Sequence, residues 1–254
     1  MPRLDLLLVT QGLARSRTRA QRLIRHGRVS LAGTGRILTK PGEKLPEDTR
    51  LTVADDPEER YVSRAGLKLE AVIQALGLYL EDQLVLDVGQ STGGFTDCAL
   101  AHGARHVIGI EVGHDQLDPS LRDDSRVTCL EGLNARAMAS DARLTKVLAA
   151  QRAGAPDLAV MDVSFISQTL ILPELASLLA TGGRLISLVK PQFEVGPGGV
   201  DSQGVVRDAA RYAEVEARIR QCCQDANLLI QHWQESPIRG GDGNREFLLY
   251  AVRG

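Results

Sequence analysis

The chain has 254 residues, of which 43% are hydrophobic but only 4% aromatic, so it can bury a core built mainly from Leu, Val, Ile and Ala. Its formal net charge of −2 hides an asymmetry: residues 1–50 sum to +7 and the rest to −9, a basic head suited to a polyanion on an acidic body. No run approaches the ~18 apolar residues of a membrane span, the N-terminal apolar run is too short for a secretory signal, and Cys98, Cys129, Cys222 and Cys223 form neither a Cys-x-x-Cys pair nor a metal-spaced cluster with histidine, so a cytoplasmic protein with reduced thiols and no metal is expected.

Residues 4–13 and 16–27 read as two short helices, the second capped by Ser16 and ended by Gly27. Ala20, Leu23 and Ile24 form its apolar stripe, and Arg15, Arg19, Arg22 and Arg25 lie largely off it. Short β segments follow at "RVSLAG", "RIL" and "RLTVA". Residues 1–55 are therefore expected to form a small α+β module, 56–63 a linker marked by Pro57, and 64–254 a second domain.

In the second domain strands alternate with helices. Strands are predicted at 84–88, 106–110, 126–130, 158–163, 184–189, 228–233 and 246–252, and helices at about 64–77, 94–102, 141–152, 167–180 and 207–226. That rhythm implies an α/β fold with a mostly parallel seven-stranded sheet, and the final two strands, lacking a helix between them, imply an antiparallel last strand in an edge hairpin.

"LVLDVGQSTGGF" runs from strand through a glycine-rich turn into a helix, the place where an open α/β sheet binds a ligand. Gly89, Gly93 and Gly94 allow close backbone approach. A dinucleotide fingerprint needs glycine at the middle position, where this chain has Ser91, so a nucleoside without a pyrophosphate suits the loop better. Glu111, about 20 residues on, can accept both ribose hydroxyls, and Asp87 adds a second carboxylate. A sulfonium nucleoside, S-adenosylmethionine, fits a pocket of this charge.

Asp162 and Lys190 end the fourth and fifth strands, and Glu246 begins an antiparallel one, so all three are expected at the rim that carries the glycine loop. Lys68 lies on the preceding helix and is less firmly placed. Each has an ordinary alternative as a sheet-edge ion pair; four at one rim point to chemistry.

These stretches carry a resemblance. "RLDLLLVTQGLARSRTRAQRLIRHGRVSLAG" resembles the S4 RNA-binding module, and "YVSRAGLKLE", "DVGQSTGGFTDCAL", "MDVSFISQTLILP", "VKPQFEVGPGGVDSQGVVRD" and "SPIRGGDGNREFLLYAV" resemble the TlyA (hemolysin A) family, whose body is an FtsJ-like methyltransferase. The resemblance implies a Rossmann-like enzyme that uses S-adenosylmethionine to methylate ribose 2′-hydroxyls in ribosomal RNA, alone or in subunits. It also implies that a Lys-Asp-Lys-Glu tetrad falls on Lys68, Asp162, Lys190 and Glu246, and that Asn134 lies on the adenine side. Two departures are Gln90, where Ala is usual, and Glu111, where Asp is common. Arg3, Arg15, Arg17, Arg22, Arg25 and Arg28 are candidates for phosphate contacts. Lys190 either removes the hydroxyl proton or steers the hydroxyl. The competing functions are a non-catalytic RNA-binding or ribosome-assembly protein, a membrane-active hemolysin and, through the glycine loop, an NAD oxidoreductase.

Overall fold

The computed structural model describes all residues except Arg15, Pro57, Glu58, Ala153, Pro197 and Asp242. The chain divides into two compact units, Met1–Arg60 and Tyr61–Gly254. The division falls inside the stretch read as a linker, and several of its described residues are packed. Asp56 and Glu59 are buried in the first unit, and Tyr61 is buried in the second, where its hydroxyl donates to Glu70 at 3.1 Å.

The first unit contains helices α1 (Leu4–Thr10) and α2 (Arg17–Arg25) and strands β1 (Val29–Leu31) and β2 (Leu51–Val53), which pair antiparallel. Ser16 caps α2 by accepting from the Arg19 backbone N–H. The apolar stripe of α2 meets Leu4 and Leu8 of α1 with Val29 and Leu38 in one small core. At its edge Asp5 is fully buried. Its carboxylate accepts from Arg3 Nε at 3.0 Å, Arg17 Nε at 2.9 Å, Gln21 Nε2 at 2.8 Å and the Leu6 N–H at 3.0 Å. The Arg3 hydrogen bonds hold this carboxyl well below the usual aspartate range.

The second unit is a seven-stranded sheet, in spatial order β5-β4-β3-β6-β7-β9-β8. Its strands are β3 (Leu84–Val88), β4 (His106–Glu111), β5 (Val127–Glu131), β6 (Leu158–Met161), β7 (Arg184–Val189), β8 (Leu228–Glu235) and β9 (Phe247–Arg253). The first five are parallel; β9 inserts between β7 and β8, antiparallel to both. The expected edge hairpin is thus present, with the last strand on its inner side.

Alternation along β3 assigns the two faces. Leu84, Leu86 and Val88 pack with α6 (Ala142–Ala149), α7 (Leu172–Leu178) and α8 (Ala210–Asp225). Val85 packs on the other face with α3 (Ala65–Leu76), α4 (Gly94–Ala101) and the short α5 (Pro119–Arg122). The helix expected over 167–180 starts late, because residues Gln168–Leu170 form a separate 3-10 turn; α5 had no periodic signal in four residues.

Asp5→Ala should leave three side-chain donors without their acceptor. Arg3 and Arg17 are roughly half exposed and can rehydrate, so the cost to the first unit should be about 1–3 kcal/mol. Hydrogen exchange should show faster opening of α1 and α2 with the sheet of the second unit unchanged. Because the carboxyl is depressed in the folded state, its contribution is present above the ordinary aspartate range and is lost only as the pH falls below it.

Candidate active site

The carboxyl ends of the parallel strands make one rim. Asp162 directly follows β6 and Lys190 directly follows β7. Glu246 directly precedes β9, whose reversed direction brings its start to the same rim; Phe247 pairs with Val189. Glu246 is buried and its Oε2 accepts from Lys68 Nζ of α3 at 2.5 Å. Lys190 Nζ lies 2.6 Å from Asp162 Oδ1 and donates to Ser164 Oγ at 2.8 Å. Each cation removed from water thus has a carboxylate, which is what burial of charge demands.

Beside Asp162 opens a cavity of about 470 Å³ lined by Gly89, Ser91, Glu111, Asn134, Asp162 and Ser164, with walls of Ile110, Leu133, Val163 and Ile166. Glu111 Oε2 accepts from the Ser91 N–H and Oε1 from the Gly113 N–H, both at 2.8 Å. Those bonds fix the carboxylate and leave each oxygen a further lone pair. Gly89 stands at φ +83°, and a Cβ there would lie 2.6 Å from the Asp162 carbonyl oxygen, so glycine lets the loop close on the strand that carries the candidate acid. Gly93, also left-handed, precedes α4, and Gly94 opens it against Ser63 and Gly66. Asn134 lines the cavity, yet its Oδ1 already accepts from the Arg136 N–H as a cap. Two carboxylates, apolar walls and no lysine, arginine or histidine among the lining residues fit a cationic purine nucleoside and give a pyrophosphate no counter-charge.

Asp87 does not line that cavity. It points to the α4 face, 1% exposed, and its Oδ2 accepts from Thr96 Oγ1 at 2.6 Å. Thr96 Oγ1 in turn accepts from Gln90 Nε2 at 2.9 Å. The Gln90 amide fills the space where a Cβ of Gly109 on β4 would stand. Asp87 Oδ1 and Gln90 Oε1 are both buried without a donor. Burial pushes the Asp87 carboxyl up to about 7.

Two loops of the rim are strapped together, which no spacing in the sequence announces. Phe165, at φ +63° and 91% exposed, meets the Phe193 ring at 5.1 Å. The buried Glu194 accepts from Ser167 Oγ at 2.6 Å and from the Gln168 N–H at 2.8 Å, and burial raises its pKa. Gln168 donates to the Leu188 carbonyl and accepts from Ser187 Oγ at 2.7 Å.

The candidate phosphate contacts of the first unit are less free than a charge count implies. Arg3 and Arg17 are held by Asp5, Arg22 by Glu59, and Arg28 lies 3.9 Å from Asp56. Arg25 is exposed. Arg15 lies outside the described residues.

The Asp87 network makes a pH prediction. Between the ordinary value of 3.8 and about 7 the folded state keeps a proton that the unfolded chain has lost, so stability should fall as pH rises through that window and level off above it. Asp87→Asn should flatten that slope and stabilise the protein at pH 8 by up to about 4 kcal/mol, the linkage limit. Chemical denaturation at pH 5 and pH 8 measures both; an unchanged slope means that Asp87 is ionised in the fold.

Comparisons with known proteins give the family of each unit. Residues 61–253 match the FtsJ-like methyltransferase family and residues 2–51 the S4 domain. The chain is 46% identical over 248 residues to YqxC of Bacillus subtilis, a candidate rRNA methyltransferase by name, covering 98% of this chain and 84% of that protein. It is 39% identical over 248 residues to the 16S/23S rRNA (cytidine-2′-O)-methyltransferase TlyA of Mycobacterium tuberculosis, covering 98% and 88%. A solved structure of a candidate hemolysin from Streptococcus thermophilus superposes with a TM-score of 0.73 at 40% identity, covering 99% of this chain and 88% of that one. With its two matched units and the methyltransferase topology of its sheet, the chain belongs to the TlyA family of S4-containing FtsJ-like methyltransferases.

Proposed function

We propose that the protein methylates a ribose 2′-hydroxyl of ribosomal RNA at the rim formed by Lys68, Asp162, Lys190 and Glu246, with S-adenosylmethionine as donor. The observation that carries this reading is the pairing of two lysines with two carboxylates beside a cavity lined by acids and by no cation. A non-catalytic RNA binder has no use for such a pair of ion pairs.

When bound, S-adenosylmethionine supplies an electrophilic methyl group. Glu111 would accept its ribose hydroxyls, Ile110, Leu133 and Val163 would offer apolar walls to its purine, and Asp162 would add negative charge. On the RNA side, the 2′-hydroxyl is a poor nucleophile until its proton is removed or oriented. Lys190 is assigned that task. Lys68, locked on the buried Glu246, serves as a fixed positive charge that holds the hydroxyl in place. Phe165 offers an exposed ring on which the target base can stack. Much of the rate enhancement comes from holding the reacting oxygen in line. Arg3, Arg17 and Arg25 contact backbone phosphates, the first two as guanidiniums pre-oriented by Asp5. The substrate proposed is the one named for the tuberculosis relative, a cytidine ribose of 16S or 23S rRNA.

Labelled methyl from S-adenosylmethionine should enter naked rRNA, separated subunits or whole ribosomes as an alkali-resistant ribose mark; label on a base, or none in any substrate, refutes the reading. Lys190→Ala should lower turnover by at least ~10²–10⁴ with cofactor binding kept. Lys190→Arg should not rescue it, because guanidinium does not give up its proton; rescue would leave steering as the role. In RNA-binding titrations, replacing Arg3, Arg17 or Arg25 by Ala should each reduce the salt slope by about one.

A further inference from the structure

Lys190 has two partners of different kinds. Asp162 Oδ1 is 2.6 Å from its nitrogen, yet that oxygen has no aligned donor. Ser164 Oγ, at 2.8 Å, accepts a properly directed hydrogen bond from the same nitrogen. A Coulombic contact tolerates almost any angle, whereas a hydrogen bond weakens steeply as it bends. The carboxylate therefore keeps the nitrogen near, and the hydroxyl decides which way its bonds point. We infer that Ser164 is a positioning residue for methyl transfer, whose hydroxyl aims the Lys190 nitrogen at the reacting 2′-hydroxyl. The inference rests on the function proposed above.

Three further observations carry it. A tetrahedral nitrogen bonded to Cε has three remaining directions. Ser164 fixes one, which removes the freedom of rotation about the last side-chain bond and defines the other two. Second, Ser164 is itself held. Its loop is strapped to the Lys190 loop by the Phe165–Phe193 contact, by the bonds from Ser167 and Gln168 to Glu194, and by the bond from Gln168 to the Leu188 carbonyl. These straps begin one residue after Ser164 and keep a short hydroxyl within reach of a long, flexible lysine. The left-handed backbone at Phe165 is disfavoured for a residue with a Cβ, and the straps hold it there. Third, Ser164 also lines the cofactor cavity, so the lysine is oriented from the side on which the reaction occurs. Lys68, by contrast, meets a buried carboxylate at 2.5 Å, an arrangement suited to a fixed charge.

The test compares Ser164→Ala and Ser164→Thr in the full chain on an unmethylated RNA that the wild-type protein methylates, with the lysine ammonium signals followed by NMR in the same proteins. Ser164→Ala should lower kcat by about 10- to 100-fold, the range of a misaimed acid–base group. The KM for RNA and the Kd for S-adenosylmethionine should stay within about threefold, and the Lys190 ammonium protons should exchange faster. Ser164→Thr, which keeps the hydroxyl, should restore both rate and slow exchange. Wild-type turnover in Ser164→Ala overturns the inference while the proposed function stands. Loss of cofactor affinity in step with rate overturns it in favour of a cavity-wall role, and so does failure of Thr to rescue a folded, cofactor-binding protein. If the wild-type protein methylates no RNA, the proposed function falls, and the inference with it.

Discussion

Two ammonium groups cannot be held in one half-buried crevice unless each has its own carboxylate. The rest of the second unit can be understood as the means of meeting that demand. Parallel strands deliver residues to a rim only from their carboxyl ends, which supplies Asp162 and Lys190 from neighbouring strands β6 and β7. The fourth group comes from a strand running the other way: β9 delivers Glu246 from its beginning, next to β7. Lys68 approaches from α3, off the sheet. The inserted antiparallel strand thus brings a carboxylate to the rim as well as extending the sheet, since a parallel strand in its place would present its start at the opposite edge.

Much of this was legible in the residues. The strand-end positions of Asp162 and Lys190 and the start of an antiparallel strand at Glu246 are readable from the apolar runs and their order. Lys68 is less firmly readable, because a helix position gives no depth along the sheet. The straps between the two rim loops were illegible, since Ser164, Phe165, Glu194 and Gln168 are joined by loop conformations that leave no periodic mark. Asp87 was read toward the ligand, whereas strand alternation sends it to the α4 face, beneath the loop. The surplus of arginine in residues 1–50 was visible, but Asp5, buried within it, was counted only as one negative charge.

The same comparison separates the competing functions. The cavity's lining holds no side-chain cation, and Ser91 stands at the loop position where a dinucleotide fingerprint needs glycine. Among the described residues no helix is long and apolar enough to cross a membrane, so the hemolysin name carried by relatives finds no helical span here. The S4 match covers the basic unit, where Arg3 and Arg17 pair with Asp5 and Arg19 and Arg22 with Glu59.

The Gln90 amide stands where a side chain at position 109 would begin. The two positions, one in the cofactor loop and one in the middle of β4, are therefore coupled by volume. With alanine at 90 a small side chain fits at 109; with glutamine at 90, a side chain at 109 requires the amide to shift from its bond to Thr96 Oγ1. Change at either site alone opens a void or forces an overlap beneath the loop. Substitution at 90 and 109 should accordingly be inherited as a pair, and divergence of the loop across the family is constrained from inside the sheet as much as by the ligand above it.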